Sequence, residues 1–380
     1  MKSTKRTTAI ITLFAIGLAL PAAADVKIGV LIPESGPAGL FGPSARQAAT
    51  LAALEINESG GINGEPIELV FADVGGAPAA AVQSAIRLWR GENVEGFVGM
   101  HDSAVREALI GQFKAQVPYV YTPVYEGGEC APGTWVTGET PAQQLGPVIP
   151  WITEQEGVKS WYLIGNDYVW GRGTNAAARQ LVEGLGNEVV GEEYVPLGTS
   201  DYDASLQRIR ASGADAVLVS LVGGDAVSFN ISYGTFGLDE QAVRLGTMLE
   251  ENTLAGIGEA GSSRMFSSMG FFSNIESDVV TDFSARLSSE FGDETAVMNT
   301  LGESTYDGLV LLATIANKAG SLDVAAMSEV ADGTEISSPR GKVVLNGNHT
   351  ARTIYVADAT GGSFNVVAEF DNVDAGVTCD

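Results

Sequence analysis

Several side chains that suit ligand binding follow predicted strands directly. Ser103 begins a predicted helix after the strand 94–99, and Tyr125 and Tyr168 follow two further strands. Ser103 would cap its helix, and the free N–H groups of that first turn could also bind a ligand oxygen. A tyrosine offers a flat apolar face with a polar tip, although ordinary packing would explain either tyrosine equally well. Glu250 or Glu251, after the strand 244–247, could accept a hydrogen bond from an –NH₂ or ammonium group or be a solvated loop charge.

Signatures of catalysis are missing from the sequence. The Gly-rich segment 36–42 has no Lys-Ser/Thr after it, as a phosphate-binding loop requires, and no Gly-x-Ser-x-Gly segment carries a nucleophile. His101 and His349 are the only histidines, which leaves little for a catalytic triad or a metal centre. We therefore predict a protein that is not an enzyme and that has no cofactor and no metal.

Strands and helices alternate along the chain, which indicates parallel sheets built from βαβ units. A first series runs from Val26 to Tyr121, and a second series of the same design runs from Trp161 to Thr247. Two helices follow near 277–291 and 304–318, and the segment 341–370 reads as antiparallel strands around an Asn-Gly-Asn turn. The sequence predicts an α/β fold with two doubly wound parallel-sheet lobes joined by a multi-crossing hinge.

The two predicted lobes indicate where a ligand binds and how the protein encloses it. We assign residues 25–144 plus 274–350 to the first lobe and residues 145–273 plus 351–380 to the second. Ligands of open parallel sheets bind at the carboxyl ends of the strands, so facing lobes would enclose one cleft between their loops. This geometry is typical of hinge closure around a ligand.

The N-terminus reads as a secretory signal peptide spanning residues 1–24. Lys2, Lys5 and Arg6 precede an apolar run, and small residues end in Ala24 before Asp25. Removing this segment deletes three positive charges and lowers the formal net charge from −26 to −29. A chain this acidic repels nucleic acid and anionic membrane surfaces. The signal peptide therefore predicts export to the periplasm, an oxidising compartment. The negative charge predicts that nucleic acid is not a partner. In that oxidising compartment Cys130 and Cys379 could form a disulfide between the C-terminus and an early loop.

Longer segments resemble type I periplasmic solute-binding proteins of the branched-chain amino acid transporter class, over nearly the whole mature chain. The resemblance begins with the segments 26–37 and 62–69. Segments similar to the urea and short-chain amide branch are YEGGE at 125–129, IGNDYV at 164–169, EEYVPLG at 192–198 and SPRG at 338–341. The resemblance implies that Ser103 binds a ligand oxygen, that Tyr125 lies in the amide-branch loop and that Tyr168 covers the ligand. It also implies that Glu250 lies near the position that holds the amino group in amino-acid binders.

Two departures from that family pattern bear on the ligand. The order of Thr122 and Pro123 differs from that of the amide sensors, and Asp102 before Ser103 is unusual. An acid at this place would favour an –NH₂ donor over a carboxylate, because an ionised carboxylate only accepts hydrogen bonds. Asp102 and Thr122 thus join Ser103, Tyr125, Tyr168 and Glu250 as predicted ligand-binding residues.

We favour the substrate-binding component of an ABC importer for urea, a short-chain amide or a related small nitrogen compound. A binder of branched-chain or other neutral amino acids is the alternative within the class. A ligand-gated regulator on the same fold and an amide hydrolase are the alternatives outside it. The expected partners are a small polar solute and an inner-membrane ABC permease, and fold analogy suggests a monomer or a weak dimer.

Overall fold

The computed structural model describes residues 25–379 of the chain, so the predicted signal peptide 1–24 lies outside the described residues. Within this range the strands of the first half are β1 (Val26–Ile32), β2 (Ile67–Asp73), β3 (Gly96–Gly99), β4 (Tyr119–Tyr121) and β5 (Thr134–Val136). The later strands are β6 (Ser160–Asn166), β7 (Glu188–Val195), β8 (Ala216–Ser220), β9 (Val243–Gly246), β10 (Met265–Met269), β11 (Glu335–Ser338), β12 (Gly341–Asn346), β13 (His349–Asp358) and β14 (Asn365–Val373).

The α-helices alternate with these strands. In the described part of the chain they are α1 (Gly42–Glu58), α2 (Pro78–Ile86), α3 (Ser103–Phe113), α4 (Pro141–Gln144), α5 (Val148–Glu156), α6 (Val169–Gly184), α7 (Asp203–Ser212), α8 (Gly224–Thr235), α9 (Glu251–Ile257), α10 (Asp278–Phe291), α11 (Thr300–Ala319) and α12 (Val324–Ala331). Among residues 25–379, no single helix is long and apolar enough to span a membrane. Helices α11 and α12 meet the criteria of length and composition only when they are taken together, and the pair is bent by 98°.

Two parallel sheets of the same design make up the fold. The first has the strand order β2-β1-β3-β4-β5, and the second has the order β7-β6-β8-β9-β10. Neighbouring strands within each series are parallel. Each half thus repeats one doubly wound pattern, in which the order reverses between its first and third strands. The predicted fold class is confirmed.

Strand β13 joins the two sheets. Its first residue, His349, pairs with Val136 of β5, and its later residues run antiparallel to β10 and β14. We call the β1–β5 sheet with helices α1–α3 and α10–α12 the first lobe. The β6–β10 sheet with helices α4–α9 is the second lobe. The chain therefore passes between the lobes after β5, after β10 and within β13.

Burial on both faces explains the strand sequences. Six of the seven residues of β1 and all five residues of β8 are buried, as expected of parallel strands covered by helices on both sides. The hydrophobic cores lie between these strands and the helices that pack on them. The strand ends are held rigidly by these cores, so the loops that follow them are fixed in position.

Several helix ends differ from those that the sequence pattern predicts. The sequence pattern predicts helices over 103–116 and 173–185, whereas α6 begins at Val169, so Tyr168 occupies its N-cap position. Helix α11 begins at Thr300, because the Asn299 side chain accepts from the N–H of Gly302 and caps it. Helix α3 ends at Phe113 rather than Gln116, since Lys114 adopts a left-handed conformation with φ of 48°.

Cys130 and Cys379 form a disulfide in the structure, with their Cα atoms 5.5 Å apart. Cys130 lies in the loop between β4 and β5 of the first lobe, and Cys379 ends the tail that follows β14. The tail crosses the start of α4, where the Thr140 hydroxyl donates to the Ala375 carbonyl at 2.7 Å. The disulfide therefore links the C-terminal tail to the first lobe.

Candidate ligand-binding site

A cavity lies between the lobes at the carboxyl ends of β1, β3, β6 and β8. These are the positions at which the strand order reverses in each sheet, the usual ligand site of doubly wound folds. Its volume of about 30 Å³ holds roughly two water molecules. The lining residues are Pro33, Ala38, Phe41, Met100, His101, Asp102, Ser103, Tyr121, Pro123, Val124, Tyr168, Val222, Met248 and Leu301.

A second cavity of about 390 Å³ adjoins the first and shares part of its wall. The shared residues are Pro33, Ala38, Asp102, Tyr168 and Val222. Asp102 and Tyr168 thus stand between the inner cavity and the wider space beside it, where they can contact a solute that fills either part.

The lobes are in contact around this cavity. The N–H of Gly224 in the second lobe donates to the Pro37 carbonyl in the first at 3.4 Å. The Asn252 side chain donates to the Leu40 carbonyl, also at 3.4 Å. Asn299 donates to the Glu250 carboxylate at 2.6 Å. The structure therefore has the lobes in contact, with both cavities between them.

Apolar side chains form most of the cavity wall. They come from both lobes and are buried, so they exclude water from whatever the cavity holds. The apolar lining residues are Phe41, Met100, Val124, Val222, Met248 and Leu301. Such a wall favours a ligand with an apolar body, because the transfer of that body from water is favourable.

Asp102 supplies the charged group of the cavity, and it also caps helix α3. Its carboxylate accepts from the N–H of Val105 at 2.8 Å. The expectation that Ser103 caps this helix is wrong, because the extended residue before the first turn is Asp102. Burial raises the pKa of Asp102, and the N–H groups of Val105 and Ala104 partly oppose that rise. First-turn N–H groups that could have met a ligand oxygen are therefore already engaged by a carboxylate.

Ser103 is buried on the cavity wall, and its hydroxyl is already hydrogen-bonded. Its Oγ donates to Oε2 of Glu126 at 2.6 Å and lies 3.4 Å from the Tyr121 hydroxyl. Glu126 in turn accepts from Nη2 of Arg106 at 2.7 Å. Sequence reasoning identified Ser103 but missed its partner Glu126 and Arg106, which donates to Glu126.

His101 is a buried, neutral part of the wall. Burial is the main reason that its pKa falls to about 4. Its Nε2 lies 2.9 Å from the Tyr119 hydroxyl, and its backbone carbonyl accepts from the Tyr121 hydroxyl at 2.9 Å. His101 therefore fixes the orientation of Tyr121 and carries no charge near neutral pH.

Tyr168 reaches the cavity from the second lobe, as predicted for a residue that covers the ligand. It is partly buried, lines both cavities, and its ring lies 6.1 Å from that of Trp170. Burial raises its pKa, so the phenol stays neutral. Its position between the lobes suits an aromatic cover over a bound solute.

The structure places Tyr125 and Thr122 behind the cavity wall rather than on it. The Tyr125 hydroxyl bonds to the ring of His349 and accepts from the N–H of Glu129 at 3.1 Å. The Thr122 hydroxyl donates to the Gly99 carbonyl at 3.3 Å and lies 3.4 Å from that of Thr305 on α11. Both side chains support the wall, while their neighbours Pro123 and Val124 line it.

Glu250 is also engaged within the protein. It is fully buried and caps helix α9, accepting from the N–H groups of Thr253 at 2.7 Å and Asn252 at 2.8 Å. Oε2 also accepts from Asn299 at 2.6 Å. Its position therefore does not match the predicted role of holding a ligand amino group. Met248 of the same loop lines the cavity instead.

The model of the periplasmic binding protein family matches residues 25–363. The chain belongs to this family. The periplasmic binding protein described here is therefore the periplasmic solute-binding component of an ABC transporter, and it is not an enzyme. A small solute and a membrane permease follow as its partners. The signal peptide stays a prediction, since residues 1–24 lie outside the described range.

Relatives of this periplasmic binding protein are similar over most of its length. It is 28% identical over 368 residues to the Leu/Ile/Val-binding protein homolog 6 of Brucella melitensis, covering 93% of each chain. A solute-binding protein of an ABC transporter from R. palustris, solved with 4-hydroxybenzoate, has a TM-score of 0.84 at 23% identity. That match covers 93% of this chain and 99% of the other. The branched-chain amino acid binding protein LivJ of Streptococcus pneumoniae, solved with isoleucine, has a TM-score of 0.78 at 21% identity, covering 92% and 99%. The two solved structures support the fold.

Proposed function

We propose that the protein binds a small uncharged nitrogen compound of the urea and short-chain amide class and delivers it to an inner-membrane ABC permease. The observation that carries this proposal is Asp102, a partly buried carboxylate on the cavity wall beside the α3 N-terminus. An N–H group of the solute would donate to this carboxylate, which is acceptor-only when ionised. The protein acts as a monomer or a weak dimer in this proposal.

An anionic head group fits this end of the cavity poorly. A ligand carboxylate would lie against Asp102, and it would compete with Asp102 for the N–H of Val105. Like charges at close range are unfavourable, more so where water is excluded. An uncharged amide avoids both costs, and it still provides donors for the polar end of the site.

The apolar wall of the cavity further narrows the chemical class of the proposed solute. Urea is polar on every side, whereas Phe41, Val124, Val222 and Leu301 offer it no hydrogen-bonding partners. An amide with a short aliphatic chain would bury that chain against these residues, at about 0.8 kcal/mol for each CH₂ group. Short-chain aliphatic amides are therefore favoured over urea itself.

A branched-chain amino acid is the second candidate. The apolar wall suits its side chain, and several relatives carry Leu/Ile/Val-binding names. It needs donors for its carboxylate and an acceptor for its ammonium group. Asp102 could serve the ammonium, but Glu250, the acceptor expected from the sequence, is occupied by α9 and Asn299.

Thermal melting of the purified mature protein tests the proposal. The panel is urea, formamide, acetamide, leucine, valine, glutamate and choline, because a ligand that binds the folded state raises the melting temperature. We expect a shift with acetamide and none with leucine or valine. A shift with the amino acids alone would replace the proposal by the second candidate.

A further inference from the structure

The hydroxyl protons at the polar end of the cavity point away from it. A serine or tyrosine hydroxyl has one proton to donate. The proton of Ser103 goes to Glu126 at 2.6 Å, and that of Tyr121 goes to the His101 carbonyl at 2.9 Å. Both oxygens therefore present only lone pairs to the cavity, beside the carboxylate of Asp102.

Glu126 is held in place by a buried ion pair. One of its oxygens accepts from Arg106, and the other accepts from Ser103, so each has a different partner. The side chains are 10% and 5% exposed for Glu126 and Arg106. Arg106 also lies against Glu129, with Nε 3.1 Å from Oε2. Since Arg106 can only donate, Glu126 must turn an acceptor towards Arg106 and has its second oxygen left for Ser103.

We infer that Glu126 is a positioning residue that sets the ligand preference of the site through Ser103. By taking the Ser103 proton, it makes the serine an acceptor towards the solute and selects N–H donors over carboxylates. This inference deepens the proposed function and depends on it for the class of solute. It assigns the discrimination to a residue that lies behind the cavity wall.

The substitution Glu126→Gln would reverse the direction of this hydrogen bond. The amide oxygen must face Arg106, which only donates, so the amide –NH₂ must face Ser103. Ser103 then accepts from residue 126, and its own proton becomes free for the cavity. A site with a free hydroxyl proton would bind a ligand oxygen better and an N–H donor less well.

Isobutyramide and isobutyrate are the probes, because they share one body and differ only in the head group. The readout is the ratio of their dissociation constants, measured by calorimetry on the mature protein. We expect wild type to prefer isobutyramide, and Glu126→Gln to move the ratio at least about tenfold towards isobutyrate. A loss of folding would weaken both probes together and leave the ratio unchanged.

Two matched variants make the test specific. Glu129→Gln removes a charge from the same Arg106 cluster without contacting Ser103, and it should leave the ratio as in wild type. In a Ser103→Ala background, Glu126→Gln should no longer change the ratio. Should Glu126→Gln not fold, Ser103→Ala alone must weaken isobutyramide and spare isobutyrate.

Each outcome bears on one claim or on both. An unchanged ratio in a Glu126→Gln variant that melts as wild type does, or a change that persists without Ser103, overturns the inference and leaves the proposed function standing. A wild-type preference for isobutyrate overturns the proposed function, while a shift in Glu126→Gln still supports the role of Glu126. A wild-type protein that binds neither probe contradicts both.

Discussion

Asp102 combines a structural role with a binding role. Its carboxylate caps α3 by accepting from Val105, and the residue lines the cavity between the lobes. Burial raises its pKa, and the nearby negative charge of Glu126 adds to the rise. The acceptor that a solute meets is therefore easier to protonate than a carboxylate in solvent.

This raised pKa predicts a loss of affinity in acid. An N–H donor binds the ionised form of Asp102, so affinity is full above the raised pKa and falls as the pH drops through it. We expect the dissociation constant for acetamide to increase at a higher pH than an exposed aspartate would give. Calorimetry at decreasing pH measures this change.

Asp102→Asn is the control for that titration, since burial also places the pKa of His101 in the acid range, at about 4. Asparagine caps helices as well as aspartate does and has no acidic proton. As the pH is lowered, the affinity of this variant should not show the fall that protonation of Asp102 causes in wild type. Identical profiles in wild type and Asp102→Asn would contradict the assignment to Asp102.

At the scale of elements, helix α9 depends on Glu250 at its start. The side chain satisfies two N–H groups of the first turn and the amide of Asn299, which itself caps α11. One carboxylate thus connects the ends of two helices from different lobes. We assign Glu250 to the structure of the closed protein rather than to the ligand.

Glu250→Ala should therefore lower stability and keep the ligand preference. Losing the cap costs about 0.5–2 kcal/mol, and Asn299 loses a buried partner. Unfolding in guanidinium chloride measures this; urea is avoided because it belongs to the ligand panel. Replacement of the exposed Glu276 by alanine serves as the control. Loss of amide binding at unchanged stability would instead make Glu250 a ligand contact.

The apolar runs of the sequence predict most of the strands, and the runs 26–32, 119–121 and 216–220 match the bounds of β1, β4 and β8. Strand β10 was not predicted, because two serines interrupt its apolar pattern. Both are fully buried, and their hydroxyls donate to backbone carbonyls, Ser268 to that of Gln144 at 2.7 Å. A strand whose polar groups are satisfied in this way gives no hydrophobic signal in the sequence.

Asp102, Ser103 and Tyr168, which follow predicted strand ends, all line the cavity, and their contact with a ligand stays a prediction. The strand ends alone could not show which way Tyr125 and Glu250 point, because side chains of one loop face opposite sides. Glu126 was missed for a related reason. Its role comes from Ser103, which lies 23 residues away in sequence and meets it only in the folded protein.

At the scale of the whole molecule, the two lobes approach each other closely at two glycines. A Cβ atom on Gly173 of α6 would lie 2.6 Å from Cβ of Glu126 in the first lobe. A Cβ atom on Gly223 would likewise lie 2.3 Å from the carbonyl oxygen of Pro37. We propose that closure brings the segments 25–144 plus 274–350 against the segments 145–273 plus 351–380, and that these glycines permit it.

Gly173→Ala should weaken ligand binding without destabilising the open protein. Alanine is the better helix former by about 1 kcal/mol, whereas overpacking at the lobe contact costs about 1–3 kcal/mol in the closed state only. We expect a loss of affinity between about fivefold and about a hundredfold. X-ray scattering should show a larger radius of gyration at the same ligand concentration.

Gly184→Ala is the matched control, because Gly184 ends the same helix and has no atom within 4 Å of its added Cβ. That variant should bind and close as wild type does. Unchanged affinity in Gly173→Ala would mean that the lobes do not approach each other this closely when the solute is bound.

The central claim is that the cavity between the lobes binds an N–H donor through Asp102. The most direct test is calorimetric titration of acetamide into wild type and Asp102→Asn near neutral pH. Loss of a hydrogen bond to a charged group predicts an affinity at least about tenfold weaker in the variant, with an unchanged melting temperature of the free protein. Equal affinity in the two proteins would contradict the account.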